Sequence, residues 1–211
     1  MKDELTKRIL SSIILLPITL FFFVKGSFLF VFFILICLCV ITYEWHRMSK
    51  KKSYRIFGFI FLFLSFYTIY KLRIDSNDYW FLLFVTLICI STDIGGYVFG
   101  KIFKGPKLIK FSPKKTYAGM IGGYLLSLIS SFFFSIFHYS DELSIKLFVF
   151  VILISTVSQL GDISVSYFKR LSKIKNTGKI IPGHGGLLDR IDGMIFAFPF
   201  SYLIFYLEFI I

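Results

Sequence analysis

Between residues 166 and 192 the chain reads SYFKRLSKIKNTGKIIPGHGGLLDRID, a basic, glycine-rich segment set between two apolar runs, 145–165 and 194–211. It holds six Lys/Arg, one His, a Pro-Gly-His-Gly-Gly turn and two closing aspartates. Such contrast decides the class of fold: the flanking runs leave water for lipid, and the loop stays outside it. The residue types then point to phosphate. Lys and Arg neutralise phosphate charge, and a glycine-rich turn opens backbone N–H groups to an anion. Asp189 and Asp192, three apart, can face the same way at the start of a helix and offer hard oxygens to Mg²⁺. Phosphate binders and paired carboxylates at a membrane surface suggest metal-assisted phosphoryl or nucleotidyl transfer on a lipid. A loop that merely sets topology needs Lys and Arg, but neither His-Gly-Gly nor paired Asp.

The rest of the chain fits that frame. It is 56% apolar and 20% aromatic, with a mean hydropathy of +0.79. Apolar runs lie at roughly 9–24, 26–43, 56–72, 79–99, 117–137, 145–165 and 194–211. Each is near the length that crosses a bilayer, so the expected fold is an all-α, polytopic membrane bundle of about seven transmembrane helices. The first run lacks a small-residue cleavage site and is followed by Lys25 and a further apolar run, so it reads as a retained helix. Lys and Arg in the amino terminus, 44–55, 100–116 and 162–193 total 20, against 4 in the alternate connections. The positive-inside rule then sets a cytoplasmic amino terminus and an external carboxy terminus.

The net charge of +12 is therefore mostly cytoplasmic and attracts anionic head groups and nucleotides. Nucleic acid is not an expected partner, because the basic residues are interleaved with spans and no groove-reading module is visible. Cys37, Cys39 and Cys89 fall inside spans and read as small packing residues.

Ionisable groups within spans cost roughly 2.5–3.5 kcal/mol each on insertion scales, so each one is a functional candidate. Asp93 lies two-thirds along the fourth span, with Tyr97 at i+4 and Gly100 at i+7. In the sixth span, Ser155, Ser158, Gln159, Asp162, Ser166, Lys169 and Arg170 recur at three- and four-residue steps along one helix face. A polar stripe on an apolar helix must face protein, water or an ion. An interhelical hydrogen-bond seam would explain the serines and Gln159 but not Asp162.

The loop resembles the signature of the phosphatidate cytidylyltransferase (CDP-diacylglycerol synthase) family. The matching residues are Ser166, Lys169, Arg170, Lys175, Pro182, Gly183, His184, Gly185, Gly186, Asp189, Arg190 and Asp192. Asn176 stands where that family usually has Asp, and position 176 is given no metal role. Ser112-Pro113-Lys114-Lys115-Thr116 resembles a second family motif, and Asp93 to Tyr97 a third, with Ile94 and Gly96 departing from it. Ala118 replaces a common Glu. These motifs span about residues 90–195, which divides the chain into amino-terminal transmembrane helices (1–89) and a catalytic transmembrane region (90–211) with its cytoplasmic signature loop at 162–193.

The resemblance implies transfer of CMP from CTP to phosphatidate, with release of pyrophosphate, by an enzyme of the bacterial cytoplasmic membrane whose active site faces the cytoplasm. It implies Mg²⁺, with room for a second cation, held by Asp162, Asp189 and Asp192, with Asp93 a further candidate ligand. Lys169, Arg170, Lys175 and Arg190 would hold the triphosphate, and the Gly183–Gly186 turn would supply N–H groups. His184 either donates to a phosphate oxygen or orders the turn. Lys114 and Lys115 would clamp the lipid phosphate, with Ser112, Thr116, Gln159 and Ser166 as further substrate contacts. A homo-oligomer is left open. The alternatives are a CTP-dependent polyprenol- or phytol-type lipid kinase, which needs a base to deprotonate its alcohol, and an ion or anion transporter, which commonly shows related halves.

Overall fold

A computed structural model describes residues 2–76, 79–109, 112, 115–138, 145–181 and 185–207, with side chains from residue 13 onward. Among them are α1 (Lys2–Lys25), α2 (Ser27–Met48), α3 (Arg55–Asp75), α4 (Trp80–Phe103), α5 (Tyr117–His138), α6 (Ile145–Leu171), α7 (Leu188–Ile191) and α8 (Met194–Tyr206). Every apolar run becomes a helix, and α7 is one further turn in the signature loop. The protein is thus an all-α membrane bundle. Helices α2 to α6 are long and apolar enough to cross a bilayer. The described apolar part of α1, Ile13–Lys25, and α8 are shorter. At 1.5 Å per residue, the 13 residues of α8 reach roughly 20 Å of a hydrocarbon core of about 30 Å, whereas α1 as a whole has 24 residues. Among the described residues, five helices are thus long and apolar enough to cross.

The described chain forms two compact units: residues 1–79 with 168–192, and residues 80–167 with 193–211. Division at 89/90 sorts the chain by motif, whereas these units sort it by contact. The signature loop clusters with helices that carry none of the motif residues.

In the first unit, α1 and α2 meet at Gly26, whose φ of 62° turns the chain between them. Phe22 stacks on Phe33 across the turn, and the Arg73 side chain donates to the Phe23 carbonyl at 3.2 Å. At the far end of α2, the Trp45 indole N–H donates to the Arg55 carbonyl at 3.0 Å. Edge contacts join Trp45 to Tyr54 and to Phe168. The Tyr54 hydroxyl bonds Ser172 Oγ at 2.7 Å. The last turn of α6 is thus packed onto the ends of α2 and α3, and the loop that follows starts from a fixed point.

In the second unit, α4 and α5 approach until their backbones touch: a Cβ on Gly95 would run into the Gly122 carbonyl. Phe84 stacks between Phe134 of α5 and Phe150 of α6. The polar face of α6 turns inward, as its periodicity predicts. Ser155 and Ser158 are fully buried while Leu160 points outward. Thr92 donates to Ser155 at 2.9 Å, and Tyr124 pairs with Thr156 at 2.9 Å. The upper part of the stripe is therefore a hydrogen-bond seam, the arrangement expected of polar groups inside a membrane. Asp93 is exposed on α4, on the same face as Tyr97.

Candidate active site

The site in the first unit begins where α6 stops. Lys173 adopts φ 56°, its N–H bonds the Arg170 carbonyl, and the Ile174 N–H bonds the Lys169 carbonyl, each at 3.0 Å. This is a Schellman stop made without glycine, and it turns the chain sharply back. It leaves Lys169 on the last turn of α6, 9% exposed, with its ammonium facing the returning loop.

Two carboxylates meet that ammonium. Lys169 Nζ lies 2.9 Å from Asp189 Oδ1 and 3.6 Å from Asp192 Oδ2. The expected i, i+3 register holds: α7 carries Asp189, and Asp192 keeps helical dihedrals (φ −57°, ψ −34°) at its end. The other oxygen of Asp189 accepts two backbone N–H groups, from Thr177 at 2.8 Å and from Gly186 at 3.0 Å. Ile181 and Gly185 exchange both backbone hydrogen bonds, at 2.9 and 3.1 Å, and so pin together the flanks of residues 182–184. The Gly185 and Gly186 N–H groups, expected to face an anion, are both engaged inside the loop. Glycine is required here for geometry. Gly185 has φ 94°, and a Cβ there would lie 2.8 Å from Asp189 Oδ2.

Arg170, Lys175 and Arg190 are exposed around this buried ion triad, as are Lys173 and Lys179. Arg170 donates to the Ile174 carbonyl at 3.2 Å. The result is a locally acidic core with one fixed cation inside a rim of exposed cations, an arrangement that can draw a polyanion by its field.

The second unit holds a second ion pair. The segment after α4 folds back on itself, with Leu108 N–H bonded to the Lys115 carbonyl at 2.8 Å and Tyr117 N–H to the Pro106 carbonyl at 3.2 Å. Thr116 caps α5, its hydroxyl oxygen accepting the Gly119 N–H at 3.1 Å. The Ser112 carbonyl accepts the Lys115 N–H at 3.0 Å. Lys115 Nζ then reaches Asp162 Oδ2 at 2.7 Å, as an ion pair rather than a well-aligned hydrogen bond. The Ser166 hydroxyl donates to the other Asp162 oxygen at 3.4 Å, and Gln159 donates to Ser155 Oγ at 3.5 Å. Lys114, Gly183 and His184 lie outside the described residues.

One important residue was not anticipated. Glu44 of α2 is 1% exposed and accepts from Thr177 Oγ1 at 3.0 Å, Leu187 N–H at 3.0 Å and Leu188 N–H at 2.9 Å. The sequence did hold a signal: Glu44 is the sole acid between Glu4 and Asp75, at an apolar helix end facing five cations in 44–55.

Among the described residues, no three His, Cys, Asp or Glu side chains gather as a metal cluster. The donor chemistry nonetheless fits a hard cation. Asp189 and Asp192 converge on a single positive centre, and the Lys169 ammonium stands in that place.

The cytidylyltransferase family matches this chain over residues 6–75 and 56–208. A phosphatidate cytidylyltransferase of Rickettsia bellii is 34% identical over 215 residues, covering 96% of this chain and 91% of the relative. One from Rickettsia felis is 32% identical over 211 residues, 96% of this chain and 93% of the relative. One from Staphylococcus saprophyticus is 33% identical over 172 residues, 78% of this chain and 65% of the relative. Similarity therefore extends beyond the motifs of 90–195 into the amino-terminal helices, the part of the chain that supplies Glu44. With both compact units inside the matched regions, the chain belongs to the cytidylyltransferase family.

Proposed function

We propose that the protein joins CTP to phosphatidate, giving CDP-diacylglycerol and pyrophosphate, as a nucleotidyltransferase of phospholipid biosynthesis. The observation that carries this reading is the buried Lys169 ammonium fixed between Asp189 and Asp192 within a rim of exposed cations. A phosphate oxygen of phosphatidate attacks the α-phosphorus of CTP. The bond from that phosphorus to the bridging oxygen of the β-phosphate breaks, and pyrophosphate leaves with the electron pair. The nucleophile is already ionised, so no strong base is needed; the barrier lies in bringing two polyanions together and in the charge of the leaving group.

Lys169 supplies a cation that its two carboxylates hold at the site and that would turn to the phosphates when the carboxylates take up a metal ion. Arg170, Lys175 and Arg190 gather the triphosphate from solution. Mg²⁺, held by Asp189 and Asp192, would shield the nucleotide phosphates and the leaving pyrophosphate. Lys115 would hold the lipid phosphate, with Asp162 and Ser166 setting the direction of its side chain. The active site would face the cytoplasm from a bacterial cytoplasmic membrane, as the 20-to-4 distribution of Lys and Arg supports.

Two experiments test this reading. With CTP labelled on the α-phosphate, label should enter a chloroform-soluble product that depends on phosphatidate and Mg²⁺. Label confined to water-soluble CDP, with a phosphorylated prenol accumulating, would make the protein a lipid kinase instead. For orientation, Asn176→Cys should react with an impermeant thiol reagent only from the cytoplasmic side and Ser76→Cys only from outside. Reaction of both from one side would refute the seven-span arrangement.

A further inference from the structure

A buried carboxylate is a costly choice for a helix that only needs packing. An apolar residue would fill the same space without desolvating a charge. What Glu44 adds is acceptor capacity, and the loop engages both of its oxygens with three donors. Thr177 gives its N–H to Asp189 and its hydroxyl to Glu44. On the opposite strand of the loop, Gly186 gives its N–H to Asp189, while Leu187 and Leu188 give theirs to Glu44. The two carboxylates are thus interleaved, and each binds both strands. Close approach is built in: a Cβ on Gly178 would lie 2.6 Å from Glu44 Oε1, and one on Gly186 would lie 2.5 Å from Glu44 Oε2.

We propose that Glu44 is a positioning residue for cytidylyl transfer, holding the two strands of the signature loop in the register that aims Asp189 at Lys169. This rests on the reading of the site given above. Glu44 touches no substrate; it acts through the loop. An amide cannot replace it, because two N–H groups approach one oxygen each. Whichever way a Gln side chain turns, its NH₂ faces either Leu187 N–H or Leu188 N–H, donor against donor.

The test uses the full chain in detergent and three readouts: thermal midpoint, steady-state kinetics with CTP and phosphatidate, and hydrogen exchange by mass spectrometry. For Glu44→Gln we expect kcat to fall by on the order of 10²-fold, as for misplacement by about 1 Å. KM for phosphatidate should stay within about twofold, since uniform lipid binding is untouched. Faster amide exchange should be confined to peptides covering 176–190, with α5 unchanged. Wild-type kcat in folded variant, a loss no larger than the unfolded fraction, or unchanged exchange would each overturn the proposal.

If Glu44→Gln does not accumulate, Thr177→Val removes one of the three donors at constant shape. It should show the same exchange pattern with a loss of roughly tenfold. Wild-type turnover with wild-type exchange in that variant would overturn the proposal as well. Should the wild-type chain place no cytidine on lipid, the function reading fails; the exchange experiment still decides whether Glu44 holds the loop.

Discussion

The ion pairs Lys169–Asp189 and Lys115–Asp162 stand in different surroundings. Lys169 and Asp189 have side chains 11% and 5% exposed, and Asp189 accepts two further backbone N–H groups. Lys115 and Asp162 are 21% and 32% exposed, with a single long hydroxyl contact in support. A buried pair whose carboxylate has both oxygens engaged is rigid, and losing one member strands the others in a poorly solvated place. The second pair is only partly covered, although the Lys115 nitrogen itself is buried, and it has fewer supporting contacts to fix it. On the proposed function, the first would suit a group set in place before the nucleotide arrives, and the second a lysine that exchanges its partner for a phosphate.

The sharpest break in this comparison is Asp189→Asn. Its new NH₂ faces either Lys169 or the two backbone N–H groups, so the triad cannot reform. Turnover should fall by about 10²–10³-fold, and stability should drop by about 1–3 kcal/mol. The labelled-CTP assay and a thermal melt on the same sample check both. Turnover above about a tenth of wild type, roughly 1.4 kcal/mol of barrier, would remove Asp189 from the site.

Next comes Gly186→Ala, whose Cβ collides with Thr177 Oγ1 and the Glu44 carboxylate. It should cost about 1–3 kcal/mol by overpacking. Gly105→Ala provides the contrast. That residue has φ 83° with nothing near its Cβ position, so only backbone strain of about 1–2 kcal/mol applies. Loss of activity should accompany the first and not the second. Equal effects on turnover would mean that crowding around Glu44 has no bearing on the site.

In the second unit the effects should be smaller and of another kind. Lys115→Gln should raise KM for phosphatidate about tenfold, while stability changes by less than about 1 kcal/mol. A fall in melting temperature like that of Asp189→Asn would erase the distinction between the two pairs. Smallest of all, Arg170→Gln, Lys175→Gln and Arg190→Gln should each weaken CTP use only a few-fold. That loss should shrink as salt rises, because exposed charges act through a screened field.

Much of this was legible in the sequence, and the reasons are local. Hydropathy marks helices because each apolar run must satisfy its own backbone in lipid, so the seven runs become seven helices whatever their partners. The turn at Gly185 was legible from composition. So was the common direction of Asp189 and Asp192, since spacing of three within a helix fixes it. The inward turn of Ser155 and Ser158 followed from periodicity alone.

Taken by itself, the sequence determined the membrane class, the places of the helices and the common direction of Asp189 and Asp192, because these follow from residue type and short-range spacing. Only the tertiary structure decided which polar groups are already engaged. It gave the Gly185 and Gly186 N–H groups to the loop itself, Lys169 to two carboxylates, and Lys115 to Asp162. It also brought Glu44 to donors 133 to 144 residues away in the chain. No pattern of neighbours encodes that choice. A buried carboxylate takes whichever donors the packed helices bring within 3 Å of it, and that is settled by the fold.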